Sequence, residues 1–363
     1  MNEYRKILDN LRGALLKEKD EAVLISSQTS QRYISGFDYT DGYILILRES
    51  AYLLADFRYI EAAKEQVSSD IFEVIMPEGT MLSEIALLCT MNGIKKLYAE
   101  ENALTCAAFE RIRNVLKDVS LFHGASDAID ALRRKKFSFE IENIAQAQSI
   151  TDKAFEYILG ILDPKMTEVE VALELEFFMR RNGAEAVAFD TIAVSGTASS
   201  RPHGEPRNIP LERGFLTMDF GARVDGYCSD MTRTVVIGKA DDEMKRLYNT
   251  VLSAQLAALD FICEGIECKA VDTVARDIIN SAGYEGRFGH SLGHGVGMFV
   301  HEAPRLSQSA KDGECLAKGC VVTVEPGIYI EGKYGCRIED MIAIDNDGKL
   351  INFTNSPKEL IEI

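Results

Sequence analysis

The chain has 363 residues and a formal net charge of −17, and hydrophobic residues make up 46% of it. The length is enough for two domains, and the hydrophobic share is enough for a buried core. Because nucleic acids and anionic membranes attract basic surfaces, this negative charge argues against both as partners. The sequence shows neither a signal-peptide core nor a run of about 18 apolar residues. We therefore expect a cytoplasmic protein whose eight cysteines are reduced.

The first part of the chain alternates short apolar runs with helical patterns. The runs predict strands over 22–26, 43–47, 52–55, 72–75 and 96–99. Helical spacing predicts helices over 3–19, 58–67, 80–91 and 104–116. This alternation is typical of a mixed α/β domain with helices packed on a sheet. We place its end near residue 130, before the basic run Arg133–Lys136, which predicts domains over 1–130 and 131–363.

The second part has a different order of elements. Two helices are predicted over 138–162 and 167–182, a strand over 189–195 and two more helices over 241–263 and 269–282. A strand hairpin follows each helix pair. The order helix, helix, sheet, helix, helix, sheet suggests two halves of similar architecture.

The stretch from Asp219 to Thr234 has the pattern of the first hairpin. Residues 215–220 and 227–237 are mostly apolar or β-branched, and Asp225-Gly226 between them is a turn signal. With the turn centred between Val224 and Asp225, Asp219 faces Asp230. Carboxylates opposed in this way lie about 4.5–5.5 Å apart and repel each other. In so apolar a strand pair we expect a metal ion or a shared proton between them, rather than two solvated side chains.

The second hairpin repeats this arrangement. Glu325 ends one apolar run, Glu339 begins the next, and Gly332 lies midway between them in a turn-like segment. The spacing predicts that these two carboxylates also face each other, although Pro326 and Gly327 leave the register open.

A segment rich in histidine and glycine lies between the two hairpins in the sequence. Three of the five histidines lie between residues 290 and 301, and glycines stand at 289, 293, 295 and 297. That glycine density argues against a helix and for backbone that passes close to other atoms. Four carboxylates with one imidazole suit Mn²⁺, Co²⁺ or Fe²⁺ better than a structural Zn²⁺ site. Two such ions would activate a water and polarise a carbonyl, so we expect hydrolysis, most simply of an amide.

Several motifs together make the second domain resemble the pita-bread metallopeptidases, and within them the aminopeptidase P and prolidase branch. They are RPHG at 201–204, MDFGA at 218–222, DGYCSDMTRT at 225–234, GHSLGHGVG at 289–297, VHE at 300–302, VEPGIYI at 324–330 and RIEDM at 337–341. The first domain resembles, more loosely, the creatinase-like amino-terminal domain of the same proteins. The resemblance implies an α/β (α+β) protein with a mixed-sheet creatinase-like amino-terminal domain and a pita-bread catalytic domain.

The resemblance also implies roles for individual residues. The ligands of two divalent metal ions, manganese first and cobalt, iron or zinc as alternatives, would be Asp219, Asp230, His294, Glu325 and Glu339. Glu325 would also act as general acid and base. His203 and His301 would assist proton transfer and stabilise the tetrahedral intermediate. Substrate would contact His290, His301 and Arg337, with His290 lining the pocket for proline.

The implied activity is metal-dependent cleavage of the peptide bond preceding proline. We favour an Xaa-Pro aminopeptidase over an Xaa-Pro dipeptidase. A dipeptidase needs an arginine or a closing loop to hold the free carboxylate after proline, and Arg201 and Arg207 lie in suitable loops whose placement the sequence does not show. A methionine aminopeptidase is the nearest alternative enzyme with the same metal ligands, but it normally lacks the large amino-terminal domain and is therefore disfavoured. A creatinase-like amidinohydrolase or a non-catalytic scaffold would have lost metal ligands, and all five are present. We expect a homodimer that acts on proline-containing peptides.

Overall fold

The computed structural model describes residues 3–363, which divide into two compact units, one up to Arg133 and one from Arg134. Among the described residues, each unit packs apolar side chains into cores of its own. Among these residues, no helix combines the length and the apolar character that a membrane span requires.

The first unit is built on a six-stranded sheet. Its strands are Glu21–Ile25 (β1), Tyr43–Leu47 (β2), Ala51–Leu54 (β3), Glu73–Ile75 (β4), Lys96–Ala99 (β5) and Ser120–Phe122 (β6). They lie in the order β4-β3-β2-β1-β5-β6. β1 and β2 are antiparallel, whereas β5 runs parallel to both β1 and β6. The sheet is therefore mixed, as the sequence predicted.

Six helices accompany this sheet. They are Glu3–Leu15 (α1), Gln28–Ser35 (α2), Ile60–Gln66 (α3), Met81–Met91 (α4), Cys106–Val115 (α5) and Ala125–Arg133 (α6). α1 ends four residues before its predicted end, because the Glu21 carboxylate accepts the backbone N–H groups of Lys17 and Glu18 in a turn. α2, α6 and β6 were not predicted. α2 is short and mostly polar, with Ser27 as its N-cap, so that it shows little apolar periodicity.

The second unit contains four long helices. They are Ser138–Ile161 (α7), Glu168–Arg181 (α8), Asp242–Phe261 (α9) and Cys268–Ile279 (α10). α8 begins at a capping box in which Thr167 accepts the Glu170 N–H at 3.1 Å and Glu170 accepts the Thr167 N–H at 2.7 Å. α7 and α8 contribute to one apolar core, and α9 and α10 to the other.

The strands of the second unit form several small sheets. They are Ala186–Val187 (β7), Ile192–Ser195 (β8), Gly214–Phe220 (β9), Ala222–Val224 (β10), Tyr227–Cys228 (β11), Met231–Ile237 (β12), Gly293–Gly295 (β13), Glu302–Leu306 (β14), Val321–Val324 (β15), Gly327–Ile330 (β16), Tyr334–Arg337 (β17), Asp340–Ile344 (β18) and Leu350–Asn352 (β19). Two of these groups have the orders β12-β9-β8 and β14-β13-β15-β18-β19. Strand ends from both groups carry the polar residues described next.

Candidate metal centre

All nine site residues that the sequence singled out line one cavity of the second unit, with a volume of about 480 Å³. They are Asp219, Asp230, His294, Glu325, Glu339, His203, His290, His301 and Arg337. The cavity is also lined by Phe189–Ile192, by Pro202–Pro206 and by Arg305. The nine site residues, which lie up to 136 positions apart in the sequence, therefore share one cavity.

Three of the predicted ligands converge closely. One ligand atom each of Asp230, His294 and Glu339 lies within 4.8 Å of the other two, and all three residues are buried. His294 Nε2 lies 3.7 Å from Asp230 Oδ2 and 3.3 Å from Glu325 Oε1. The remaining predicted ligand, Asp219, lines the same cavity.

The first hairpin has a register two residues away from the predicted one. Asp219 pairs with Thr232, and Val224 pairs with Tyr227, so Asp219 does not face Asp230. The turn is centred between Asp225 and Gly226, which have φ values of 48° and 85°. Two successive positive φ angles belong to a tight two-residue hairpin turn. With this register, Asp230 becomes the diagonal neighbour of Asp219 on the same face of the strand pair, which still directs both carboxylates into the cavity.

The second hairpin has the predicted register. Gly327 pairs with Arg337 beyond the two glutamates, and Val324 pairs with Asp340 before them. Both pairings are centred on Gly332, so Glu325 and Glu339 occupy opposed positions between two ladders. Pro326 interrupts the strand there without shifting the register.

Burial and mutual repulsion shift the pKa values of the carboxylates that line the cavity. Burial, followed by the charges of its acidic neighbours, raises the pKa of Asp230 well above its ordinary value, and the same causes raise the pKa of Glu339. Burial also raises the pKa of Asp219. For Glu325 the effect of burial is outweighed by the hydrogen bond and charge of His294, which lower its pKa to about 2. The cluster therefore gains from any positive charge placed among its oxygens.

The donor set fits divalent metal ions. Asp219 Oδ1 and Glu339 Oε1 are both buried without a hydrogen-bond partner, although buried carboxylate oxygens are normally paired. The other oxygen of each carboxylate does accept a hydrogen bond: Arg337 donates to Asp219 Oδ2 at 2.6 Å, and Thr232 donates to Glu339 Oε2 at 2.7 Å. The two orphaned oxygens are ligand positions of the kind that hard and borderline divalent cations take.

Arg337 is the main cation of the site and is buried. Besides Asp219 it donates to the Tyr329 hydroxyl at 2.7 Å and to Thr232 Oγ1 at 2.9 Å. Thr232 in turn donates to Glu339. Arg337 thus connects the two hairpins and orients a carboxylate on each.

The three other histidines surround the carboxylates. His290 Nδ1 lies 4.0 Å from Glu325 Oε2, and its Nε2 lies 3.0 Å from the Tyr329 hydroxyl. The His301 ring meets the His294 ring edge-on at 4.3 Å. Burial lowers the pKa of both His290 and His301, which favours neutral imidazoles. His203 is exposed at the cavity wall.

Close backbone approach explains two of the clustered glycines, as the sequence predicted. A Cβ atom at Gly293 would lie 2.0 Å from the Thr323 carbonyl oxygen, and one at Gly295 would lie 2.3 Å from that of Ala303. His294 lies between them in β13. The glycines therefore let its strand pack tightly enough to bring the imidazole to the carboxylates.

Sequence reasoning missed four polar residues of the site: Thr232, Thr323, Tyr329 and Arg305. Thr323 accepts the His294 N–H at 3.1 Å and donates to Glu325 Oε1 at 3.3 Å. The signal that points to Thr232 and Thr323 is the two-residue period of a strand, since each lies two positions from a predicted ligand. Arg305 carries no such signal, because only the fold pairs it with His294.

Comparison with known families assigns both parts of the chain. The model of metallopeptidase family M24 matches residues 142–346, and the model of the creatinase/prolidase N-terminal domain matches residues 7–135. An Xaa-Pro dipeptidase of Pyrococcus horikoshii is 39% identical over 347 residues, which cover 95% of each chain.

Solved structures agree over nearly the whole chain. The Xaa-Pro dipeptidase from Bacillus anthracis superimposes with a TM-score of 0.94 at 39% identity, covering 99% of this chain and 100% of its own. The X-Pro aminopeptidase from Thermotoga maritima has a TM-score of 0.89 at 38% identity, covering 94% and 97%. The similar structures thus include both a dipeptidase and an aminopeptidase.

Proposed function

The chain belongs to metallopeptidase family M24 and has the fold of the pita-bread metallo-exopeptidases, and from this premise we propose that it hydrolyses Xaa-Pro bonds with two divalent metal ions. The observation that carries the proposal is the convergence of Asp230, His294 and Glu339, within 4.8 Å of one another, in a buried and carboxylate-rich cavity. The orphaned oxygens of Asp219 and Glu339 support the same donor set.

In this proposal Asp219, Asp230, His294, Glu325 and Glu339 hold the ions. Bound there, the ions would lower the pKa of a water and polarise the scissile carbonyl. We assign proton transfer to Glu325, whose Oε1 is oriented by Thr323. His203 and His301 line the cavity and are assigned to the carbonyl oxygen of the substrate and its developing charge.

His290, His301 and Arg337 are assigned to substrate binding. His290 stands against Tyr329 and Phe288, whose ring it meets at 5.0 Å. This partly apolar wall suits a proline ring. Manganese is the first choice of metal, because four carboxylates dominate the ligand set.

The finer choice lies between a dipeptidase and an aminopeptidase. The sequence favoured the aminopeptidase, but Arg305 favours the dipeptidase, and we adopt the latter. Arg305 pairs with His294 in the ladder of β13 and β14, and its exposed side chain lines the cavity. A guanidinium at the cavity wall can hold the free carboxylate that follows proline in a dipeptide. The aminopeptidase stays the second candidate, because the Thermotoga enzyme is almost as similar.

One assay tests both levels of the proposal. Chelator-treated protein receives Mn²⁺, and cleavage of Ala-Pro and of Ala-Pro-Ala is measured side by side. Preferential cleavage of Ala-Pro that requires added Mn²⁺ supports the dipeptidase. Preferential cleavage of Ala-Pro-Ala selects the aminopeptidase. If neither peptide is cleaved with metal, the Xaa-Pro activity itself is wrong.

Arg305→Met tests the proposed carboxylate contact. A hydrogen-bonded charge is worth about 1.5–3 kcal/mol, so we expect kcat/KM for Ala-Pro to fall about 10- to 150-fold. Cleavage of Ala-Pro-amide, which lacks the carboxylate, serves as the control and should change little. Equal losses for both substrates would assign Arg305 another role.

Our proposal also includes a homodimer in the cytoplasm. The dimer rests on the family resemblance and the location on composition. Sedimentation of the purified protein tests the dimer.

A further inference from the structure

Helix α10 carries an ion pair that lies outside the cavity. Arg276 donates from Nε to Asp272 Oδ2 and from Nη2 to Asp272 Oδ1, both at 2.9 Å. The Asp272 side chain is fully buried and the Arg276 side chain is 24% exposed. Neither residue lines the cavity, so the catalytic proposal gives this pair no task.

Both members of the pair also hold the loop that enters the cavity. Arg276 donates to the carbonyl oxygen of Phe288 at 2.7 Å and to that of His290 at 2.9 Å, and its guanidinium lies 4.3 Å from the centre of the Phe288 ring. Asp272 Oδ1 accepts the Leu292 N–H at 3.0 Å. Three alternate residues of the segment 288–292 are therefore hydrogen-bonded to a single turn of α10.

The held segment leads to two site residues. Its own His290 places Nε2 at 3.0 Å from the Tyr329 hydroxyl. The carbonyl of Leu292 accepts the N–H of Glu325 at 2.8 Å. A shift of the segment relative to α10 would therefore move the imidazole of His290 and the backbone of Glu325 together.

We propose that Asp272 and Arg276 are positioning residues, which hold the segment 288–292 so that His290 and Glu325 keep their places at the cavity. The inference rests on the proposed roles of His290 in substrate binding and of Glu325 in proton transfer. It adds two residues that touch neither substrate nor metal ligand side chains.

The chemistry of arginine makes the pair specific. A planar guanidinium can serve one carboxylate and two carbonyl oxygens at once, whereas a lysine ammonium is a point charge on a flexible stem. Arg276→Lys therefore keeps the charge beside Asp272 but loses part of this fixed geometry. Misplacement of reacting groups by about 1 Å can cost about 10²-fold in rate.

The chain offers a matched control in Arg246. Its Nη2 donates to the carbonyl oxygen of Ala282 at 2.7 Å, and its guanidinium lies 5.8 Å from the centre of the Tyr284 ring. Arg246→Lys thus changes the same kind of contact, but its carbonyl partner does not line the cavity.

The experiment compares Arg276→Lys with Arg246→Lys and the unchanged protein, all loaded with Mn²⁺. We expect Arg276→Lys to lower kcat/KM for Ala-Pro by about 10- to 100-fold, with a higher KM from the displaced His290 and a lower kcat from the displaced Glu325. Metal content should stay unchanged, and the unfolding midpoint should be nearly unchanged. Arg246→Lys should leave kcat and KM unchanged. Loss of midpoint or metal with kinetics intact would make the pair purely structural and overturn the inference.

A second readout does not depend on activity. In the metal-free protein, the ring signals of the five histidines are recorded by NMR and that of His290 is assigned with His290→Gln. The His290 signal should shift in Arg276→Lys and stay in Arg246→Lys. An unshifted His290 signal together with unchanged kcat and KM refutes the positioning role of Asp272 and Arg276. If the unchanged protein cleaves neither peptide, the proposed function fails, while the His290 signal still tests the positioning role.

A third variant covers the case in which Arg276→Lys does not fold. Asp272→Asn keeps the shape of the side chain and an acceptor for the Leu292 N–H but weakens the ion pair. It should shift the His290 signal in the same direction, and an unshifted signal again refutes the positioning role.

Discussion

Glu140 is a buried carboxylate whose pKa makes the stability of the second unit depend on pH. It lies in the first turn of α7 with 1% of its surface exposed. Its Oε2 accepts the Phe137 N–H at 2.8 Å. Burial raises the pKa of Glu140 to about 7, although the Phe137 N–H and the charge of Lys136 oppose the change. At neutral pH the folded protein therefore holds this group partly as the free acid.

The sign and size of the effect follow from linkage. The pKa is higher in the folded chain than the 4.5 of an exposed glutamate, so the stabilisation is complete below that value and is lost as the pH rises through the folded pKa. Each pH unit between the two values is worth about 1.36 kcal/mol. Between pH 5 and pH 8 the group should cost the folded state about 2–3 kcal/mol.

Glu140→Gln removes this pH dependence, because glutamine is neutral throughout and still offers an oxygen to the Phe137 N–H. The free energy of unfolding is measured in urea at both pH values for the variant and the unchanged protein. The difference between the two proteins should move by about 2–3 kcal/mol in favour of the variant as the pH rises. Glu142→Gln, at an exposed position of the same helix, is the control. A change below about 0.5 kcal/mol, or of opposite sign, would refute the assignment to burial.

Other predictions concern the site and its support. Asp230→Asn should abolish peptide cleavage and weaken Mn²⁺ retention against a chelator, and an active variant with full metal content would break its assignment as a ligand. His203→Ala should lower kcat by about 10²- to 10⁴-fold with metal content intact, and metal loss instead would show that its role is wrong. Arg233→Met should lower the free energy of unfolding by about 1.5–3 kcal/mol in urea, because it removes the Arg233 donor at 2.9 Å from the buried Asp340. Lys358 and Asn352 remain as partners of this carboxylate, so its charge stays compensated. A loss below about 0.5 kcal/mol would contradict this.

How far the sequence predicts this protein depends on the range of each interaction. The strands 43–47 and 96–99 were predicted to the residue, because apolar runs are local signals. The second hairpin was also predicted in register, since Gly332 lies at the centre of its turn. The first hairpin was misplaced by two residues, because the alternation of side chains is the same in both registers. The turn distinguishes them: an Asp-Gly pair favours a two-residue loop with positive φ at both positions, and the prediction centred the turn one residue too early.

The error in register did not remove either aspartate from the site, and the reason is physical. A shift of two residues keeps every side chain on its face, so Asp219 and Asp230 still point into one cavity as diagonal neighbours. The contacts of Asp272 and Arg276 with the segment near His290 could not be predicted in this way. Asp272 and Arg276 have the ordinary i, i+4 spacing of a surface helix pair. Their importance arises from the segment near His290 that the fold lays across them, which no local pattern records.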